Sequence, residues 1–155
     1  SCDKNFGVYR DRVGCLFVKT RSAEATATAF AHLLQLAREA WSMPPDHGAA
    51  AVRKVLEDEA LTADWKAELE EMRQRIAMVR ERIAASDERL AFVADQYGMF
   101  SMLPLTKEQV VGLREKHAIY MADSGRINVV GIADEAIDRF CAAVVEALNG
   151  LAAHG

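Results

Sequence analysis

The sequence predicts an α/β fold, its helices and strands either interleaved or segregated into α+β layers, and three observations carry the prediction. Short runs that read as strands occur at 13–20, 98–103 and 126–130. Apolar residues also return at helical spacing, in Phe30, Leu33, Leu34, Ala37 and Trp41 and again in Ile137, Phe140, Cys141, Val144 and Leu148. Helix and strand signals therefore alternate along the chain, as they do in layered folds.

Each element has a local reason. Val13, Cys15, Leu16, Phe17 and Val18 read as a buried strand over 13–20. Ser22 is suited to cap the next helix, with Glu24 in its first turn. That helix ends near Ser42, where Pro44-Pro45 enforces the break. A short helix follows over 48–58. Leu61, Trp65, Leu69, Met72, Ile76, Val79 and Ile83 then recur every three or four residues, which predicts a long helix and by spacing alone suggests a coiled coil. Glu68, Glu70, Glu71, Arg73 and Arg75 read as its solvated face. Beyond Asp87, residues 90–94 form a short buried piece and 98–103 a strand. Thr106 with Gln109 makes a capping box for a helix reaching about His117. Residues 118–121 read as a short strand, Ser124-Gly125 as a turn, and 126–130 as another strand. The last helix stops near Gly150.

Composition excludes several classes of function. The 155 residues suffice for one domain or parts of two. A net charge of −4 argues against nucleic-acid or anionic-membrane partners. No apolar run approaches the length of a bilayer span, and no signal-peptide pattern opens the chain. Cys2, Cys15 and Cys141 are odd in number and lack paired spacing, so they read as free thiols of a reducing, cytoplasmic compartment. His32, His47, His117 and His154 show no ligand spacing, and no metal site is expected.

The chemistry concentrates in residues 1–14. A lysine held near neutrality is a nucleophile towards carbonyls, and arginine is the planar fork suited to a phosphate. Lys4 and Arg12 would together serve a cofactor carrying both an aldehyde and a phosphate, and Ser1 could add a hydroxyl. Eight extended residues span roughly 26–29 Å, so the segment must turn back for both side chains to reach one small molecule. Gly7 is where it can turn. Taken alone, Lys4 reads more readily as a solvated surface lysine than as a nucleophile.

The whole string, Ser-x-x-Lys-Asn-Phe-Gly-x-Tyr-x-x-Arg-Val-Gly, resembles the cofactor-lysine segment of class I pyridoxal-phosphate aminotransferases, in the aspartate/aromatic branch. Two further segments resemble that family downstream. One runs from Arg38 through Ser42 and Pro44-Pro45 to Gly48-Ala49, with Trp41 where the family commonly has tyrosine. The other joins Gly98-Met99-Phe100-Ser101 to Ser124-Gly125-Arg126-Ile127-Asn128.

The resemblance implies the C-terminal portion of a fold-type I transferase. Residues 1–60 would be the end of the large cofactor domain, and 61–155 the long interdomain helix and small α/β domain. It implies amino-group transfer between an L-amino acid (aspartate, glutamate or aromatic) and a 2-oxo acid such as 2-oxoglutarate, with Lys4 holding pyridoxal 5'-phosphate as an imine. Ser1 and Arg12 would bind the phosphate, Arg126 the substrate α-carboxylate, and Phe100 would line the pocket. Arg38 would recognise a second carboxylate across a homodimer with the active site at its interface. Residue readings remain beside these: Arg38 as a surface arginine on an amphipathic helix, Phe100 as core, Arg126 as closing its turn. An alternative is a non-catalytic fragment acting as an oligomerising or partner-binding module. Asp3 departs from the family pattern, which places a small neutral or hydroxyl residue there. A carboxylate at that position repels a phosphate dianion and opposes imine formation.

Overall fold

The structure, a computed structural model, describes residues 1–150; His154 lies outside the described residues. Five α-helices and one small sheet appear among them: α1 (Ala23–Trp41), α2 (His47–Glu57), α3 (Glu59–Ser86), β1 (Phe100–Met102), α4 (Lys107–His117), β2 (Arg126–Asn128) and α5 (Ile137–Asn149). Helix dominates, with a two-stranded antiparallel sheet, a partial α/β architecture. The chain divides into two compact units, Ser1–Leu69 and Glu70–Gly155. No helix among the described residues is long and apolar enough to cross a membrane.

The first unit holds α1, α2 and the start of α3. Ser22 caps α1 as its sequence position suggests, its hydroxyl accepting from the Ala25 N–H at 3.1 Å. The predicted apolar face of α1 is present but uncovered: Phe30, Leu34 and Trp41 are exposed, and no residue of α1 is buried. Residues 13–20 do not form the expected buried strand. They run without strand pairing, and Phe17 is 86% exposed. A strand is a relation between two segments. Its N–H and C=O groups need a neighbouring ladder, and the described residues offer none here.

The second unit carries the core. Val79 and Ile83 of α3, Leu90 and Val93 of the 3-10 turn Glu88–Val93, Leu113 of α4, Ile127 of β2, and Ile137, Phe140, Val144 and Leu148 of α5 form one cluster of buried side chains. The apolar stripe of α3 is thus buried at its C-terminal end, whereas Leu61 and Met72 are exposed. Thr106 and Gln109 close the capping box of α4 from both sides, with bonds of 3.2 and 2.8 Å. Two strand expectations are corrected. Residues 118–121 form no strand, because Ala118 ends α4 in the left-handed region and returns its N–H to Leu113. The strand read over 126–130 stops at Asn128, whose side chain accepts from the Val130 N–H and starts the 3-10 turn Val129–Gly131. Arg75 is also not simply part of a solvated face. Its guanidinium donates to the Ile132 carbonyl at 2.7 Å and pairs with Asp134 at 2.9 Å.

Asp87 ties three segments together. Its carboxylate accepts from the Arg89 N–H at 2.9 Å and from the Arg89 guanidinium at 2.7 and 2.8 Å, while Arg89 also donates to the Leu148 carbonyl. Hydrogen bonding from Arg89 holds the Asp87 carboxyl at about 2, below its ordinary 3.8. A lowered carboxyl pKa stabilises the fold above the unfolded-state value, and that stability is lost as pH falls through the folded-state value. The urea midpoint is therefore expected to fall as pH drops from 3.8 towards 2. Asp87→Asn should have a lower midpoint at neutral pH and a shallower acid slope; an unchanged slope would refute the assignment.

Candidate active site

Residues 1–14 fold back as the two-point reading of Lys4 and Arg12 requires. The Cys2 N–H donates to the Val13 carbonyl at 2.8 Å and the Phe6 N–H to the Cys2 carbonyl at 3.1 Å. Gly7 supplies the reversal at φ +68°. The loop is fastened from outside. Phe6 stacks on Trp65 with ring centroids 4.5 Å apart, and the Trp65 indole N–H donates to the Asn5 carbonyl at 2.6 Å. Gly48 of α2 lies so close that an added Cβ would fall 2.3 Å from Val13 Cγ2. The glycine therefore lets α2 approach the loop.

Inside the loop the charges meet. The Arg12 guanidinium donates to Asp3 Oδ2 at 2.6 Å and to the Tyr9 carbonyl at 2.8 Å. Lys4 Nζ lies 3.9 Å from the same Asp3 oxygen and 4.9 Å from the centre of the Tyr9 ring. The Asp3 N–H donates to the Ser1 hydroxyl oxygen at 3.2 Å. Exposure separates these groups: Asp3 is 3% exposed, whereas the Lys4 and Arg12 side chains are 45% and 69% exposed. Burial pushes the Asp3 carboxyl up. Hydrogen bonding to Arg12 and Ser1 and the charges of Arg12 and Lys4 outweigh it, so the pKa lies below the ordinary carboxylate value. The loop thus holds a half-exposed amine, an exposed guanidinium and a buried carboxylate. Arg38 lies elsewhere, exposed in the last turn of α1, and no hydrogen bond or ion pair among the described residues ties it to Lys4 or Arg12.

The other predicted residues meet in the second unit. β1 and β2 pair Phe100 with Asn128, Ser101 with Ile127 and Met102 with Arg126. Phe100, Met102 and Arg126 consequently project from one face, opposite the buried Ser101 and Ile127. The Arg126 guanidinium sits 4.8 Å from the Phe100 ring centre. Gly125, at φ +78°, makes the close turn possible: a Cβ there would fall 2.5 Å from the Leu103 carbonyl oxygen. A recess lined by Gln96, Tyr97, Phe100, Ser101, Met102 and Arg126 results. Phe100 is exposed and not core, and Arg126 presents its fork to solvent.

Sequence reasoning missed Arg80. This α3 residue is 3% exposed and donates to the carbonyls of Gly98 at 2.7 Å, Phe100 at 3.0 Å and Val93 at 3.3 Å, and to the Ser101 hydroxyl. Its partners among the described residues are carbonyls and a hydroxyl, with no carboxylate, and burial lowers its pKa. The signal was its position, four residues after Ile76 and three before Ile83, on the apolar stripe itself. Arg80 shapes the segment that presents Phe100.

Comparison with known proteins identifies relatives of this arrangement. Residues 1–144 match the family described as Aminotransferase class I and II. The tyrosine aminotransferase of Rhizobium meliloti (strain 1021) is 48% identical over 136 residues, covering 85% of this chain and 35% of that protein. The aspartate aminotransferase of Escherichia coli (strain K12) is 38% identical over 154 residues, covering 96% and 39%. A crystal structure of the aromatic-amino-acid aminotransferase of Burkholderia pseudomallei, covalently bound to pyridoxal phosphate, superposes with a TM-score of 0.80 at 38% identity, covering 96% of this chain and 39% of that one. The chain thus spans less than two fifths of the length of these relatives.

Proposed function

Because the chain belongs to the class I and II aminotransferases, we propose that it supplies the cofactor lysine and the substrate-orienting arginines of an amino-group transfer between an L-amino acid and a 2-oxo acid. The amino acid is aspartate, glutamate or aromatic, the acceptor a 2-oxo acid such as 2-oxoglutarate, and the cofactor pyridoxal 5'-phosphate. The observation that supports this reading is the folded-back loop, in which the Lys4 amine and the Arg12 guanidinium lie 3.9 and 2.6 Å from the same Asp3 oxygen. Residues 1–60 then belong to the cofactor domain and 61–155 to the interdomain helix and small domain. A cytoplasmic location, supported by the free thiols of Cys2, Cys15 and Cys141, belongs to the same proposal. No finding favours the alternative of a non-catalytic binding module.

The residues fit the cofactor's two ends unequally. The half-exposed Lys4 amine suits the aldehyde end. Arg12, with Ser1, suits the phosphate end, although Asp3 already engages the guanidinium. When bound, the cofactor supplies an electron sink for the substrate Cα. The chain's residues do the rest. Lys4 would hold the cofactor, and its amine would take the proton from the substrate Cα as general base. Arg126 grips the α-carboxylate through its planar fork, fixing the direction of the Cα–H bond. The Phe100 ring beside that guanidinium restricts its rotation and supplies an apolar wall. Arg38 receives a side-chain carboxylate in the partner's site, in a homodimer whose active sites form at the interface.

The test is amino transfer by the whole protein that carries this chain. Arg126→Gln is expected to lower kcat/KM about 100-fold for every amino-acid donor, since misplacement of a reacting group costs about that much. Arg38→Met is expected to lower it by a comparable factor for aspartate and by only about 3-fold for phenylalanine, because one desolvated ion pair is lost only with aspartate. Equal losses for both donors would remove Arg38 from the site, and no transfer by the unmodified protein would refute the function.

A further inference from the structure

Asp3 is a buried carboxylate inside the very loop assigned to an anionic cofactor. Its Oδ2 accepts from the Arg12 guanidinium at 2.6 Å and lies 3.9 Å from the Lys4 amine. Its Oδ1 is buried and has no hydrogen-bond partner in the structure. Both facts bear on what the loop accepts. A phosphate dianion brings acceptors only, so it cannot satisfy Oδ1, and it adds like charge beside a carboxylate that is 3% exposed. Drawing Arg12 away to the phosphate would leave the buried carboxylate without its principal counter-ion. A hydroxymethyl group carries no charge, so it leaves Arg12 on Oδ2 and adds no like charge beside the buried carboxylate.

We propose that Asp3 acts as an internal stand-in for the cofactor's phosphate, so that this site accepts pyridoxal, with its free hydroxymethyl group, about as well as pyridoxal phosphate. The inference rests on the functional reading above and goes beyond it. Asp3 is the specificity-determining residue for the cofactor's phosphate end, and it acts through its negative charge and its hydrogen bond with Arg12.

The test measures equilibrium binding of pyridoxal phosphate and of pyridoxal to the whole protein that carries this chain, followed by the absorbance of the bound ring and independent of turnover. For the unmodified protein the two dissociation constants are expected to lie within about 10-fold of each other. Asp3→Ser and the isosteric Asp3→Asn should each tighten pyridoxal phosphate about 100-fold, as removal of a juxtaposed like charge does, and should leave pyridoxal unchanged or weaker. Inorganic phosphate should then compete with pyridoxal phosphate in the variants but not in the unmodified protein. A preference for pyridoxal phosphate of about 1,000-fold or more in the unmodified protein would overturn the proposal even if neither variant folded, and would leave the aminotransferase reading standing. If neither compound binds any of the proteins, the cofactor reading fails and this inference fails with it.

Discussion

Lys4→Ala is expected to abolish cofactor-dependent amino transfer, lowering kcat by about 10⁴-fold, the upper end of what one positioned acid–base group supplies. The loss should be confined to function. The Lys4 side chain is half-exposed, and its ion pair with Asp3 is long at 3.9 Å. When Lys4 is removed, the buried Asp3 carboxylate keeps Arg12 as its counter-ion at 2.6 Å. The loop is instead closed by the Cys2–Val13 bond and the Phe6–Trp65 stack, neither of which involves the Lys4 side chain. Steady-state assays and thermal melts on the same preparation separate the two quantities. Retained turnover with Lys4 removed would mean that another group holds the cofactor.

Arg80→Met is expected to have the largest effect on stability. The substitution keeps much of the volume and removes the donors to Val93, Gly98 and Phe100 and to the Ser101 hydroxyl. Hydrogen bonds to charged groups contribute about 1.5–3 kcal/mol each, and their buried acceptors would be left without donors. A loss of about 3 kcal/mol is expected in urea unfolding. Arg80→Lys should recover only part of it, because an ammonium cannot reproduce the fork that spans several carbonyls. The same variant should weaken substrate binding through Phe100 and Arg126, since Arg80 holds the backbone that presents the Phe100 ring. Unfolding indistinguishable from the unmodified protein would show that those carbonyls find other partners.

How legible each feature was in the sequence depended on whether its cause was local. Helices could be read because capping and periodicity are local: Ser22 caps α1, and Thr106 with Gln109 closes the start of α4. The extended segments could not. Residues 13–20 have a strand's composition and no ladder, and 118–121 lie just past a left-handed helix end. β1 and β2 are three residues each, defined by pairing between segments far apart in sequence. In the candidate site, the fold-back at Gly7 followed from the reach of eight residues. The approach of Arg126 to Phe100 did not, since it depends on the register that sets Phe100 against Asn128. The sequence shows Asp3 as an unexpected carboxylate. Its burial and its hold on Arg12 are tertiary facts. Arg80 had the same character: a charge on an apolar stripe signals a buried partner set without naming it.

The central claim is that Lys4 is the residue that carries the cofactor. Incubation of the whole protein with saturating pyridoxal phosphate, reduction with borohydride, and mass-spectrometric mapping of the modified peptides tests it most directly. The account predicts one adduct per chain, confined to Lys4 and absent from Lys4→Ala. Adducts scattered over other lysines, or none at Lys4 in protein that remains folded, would contradict it.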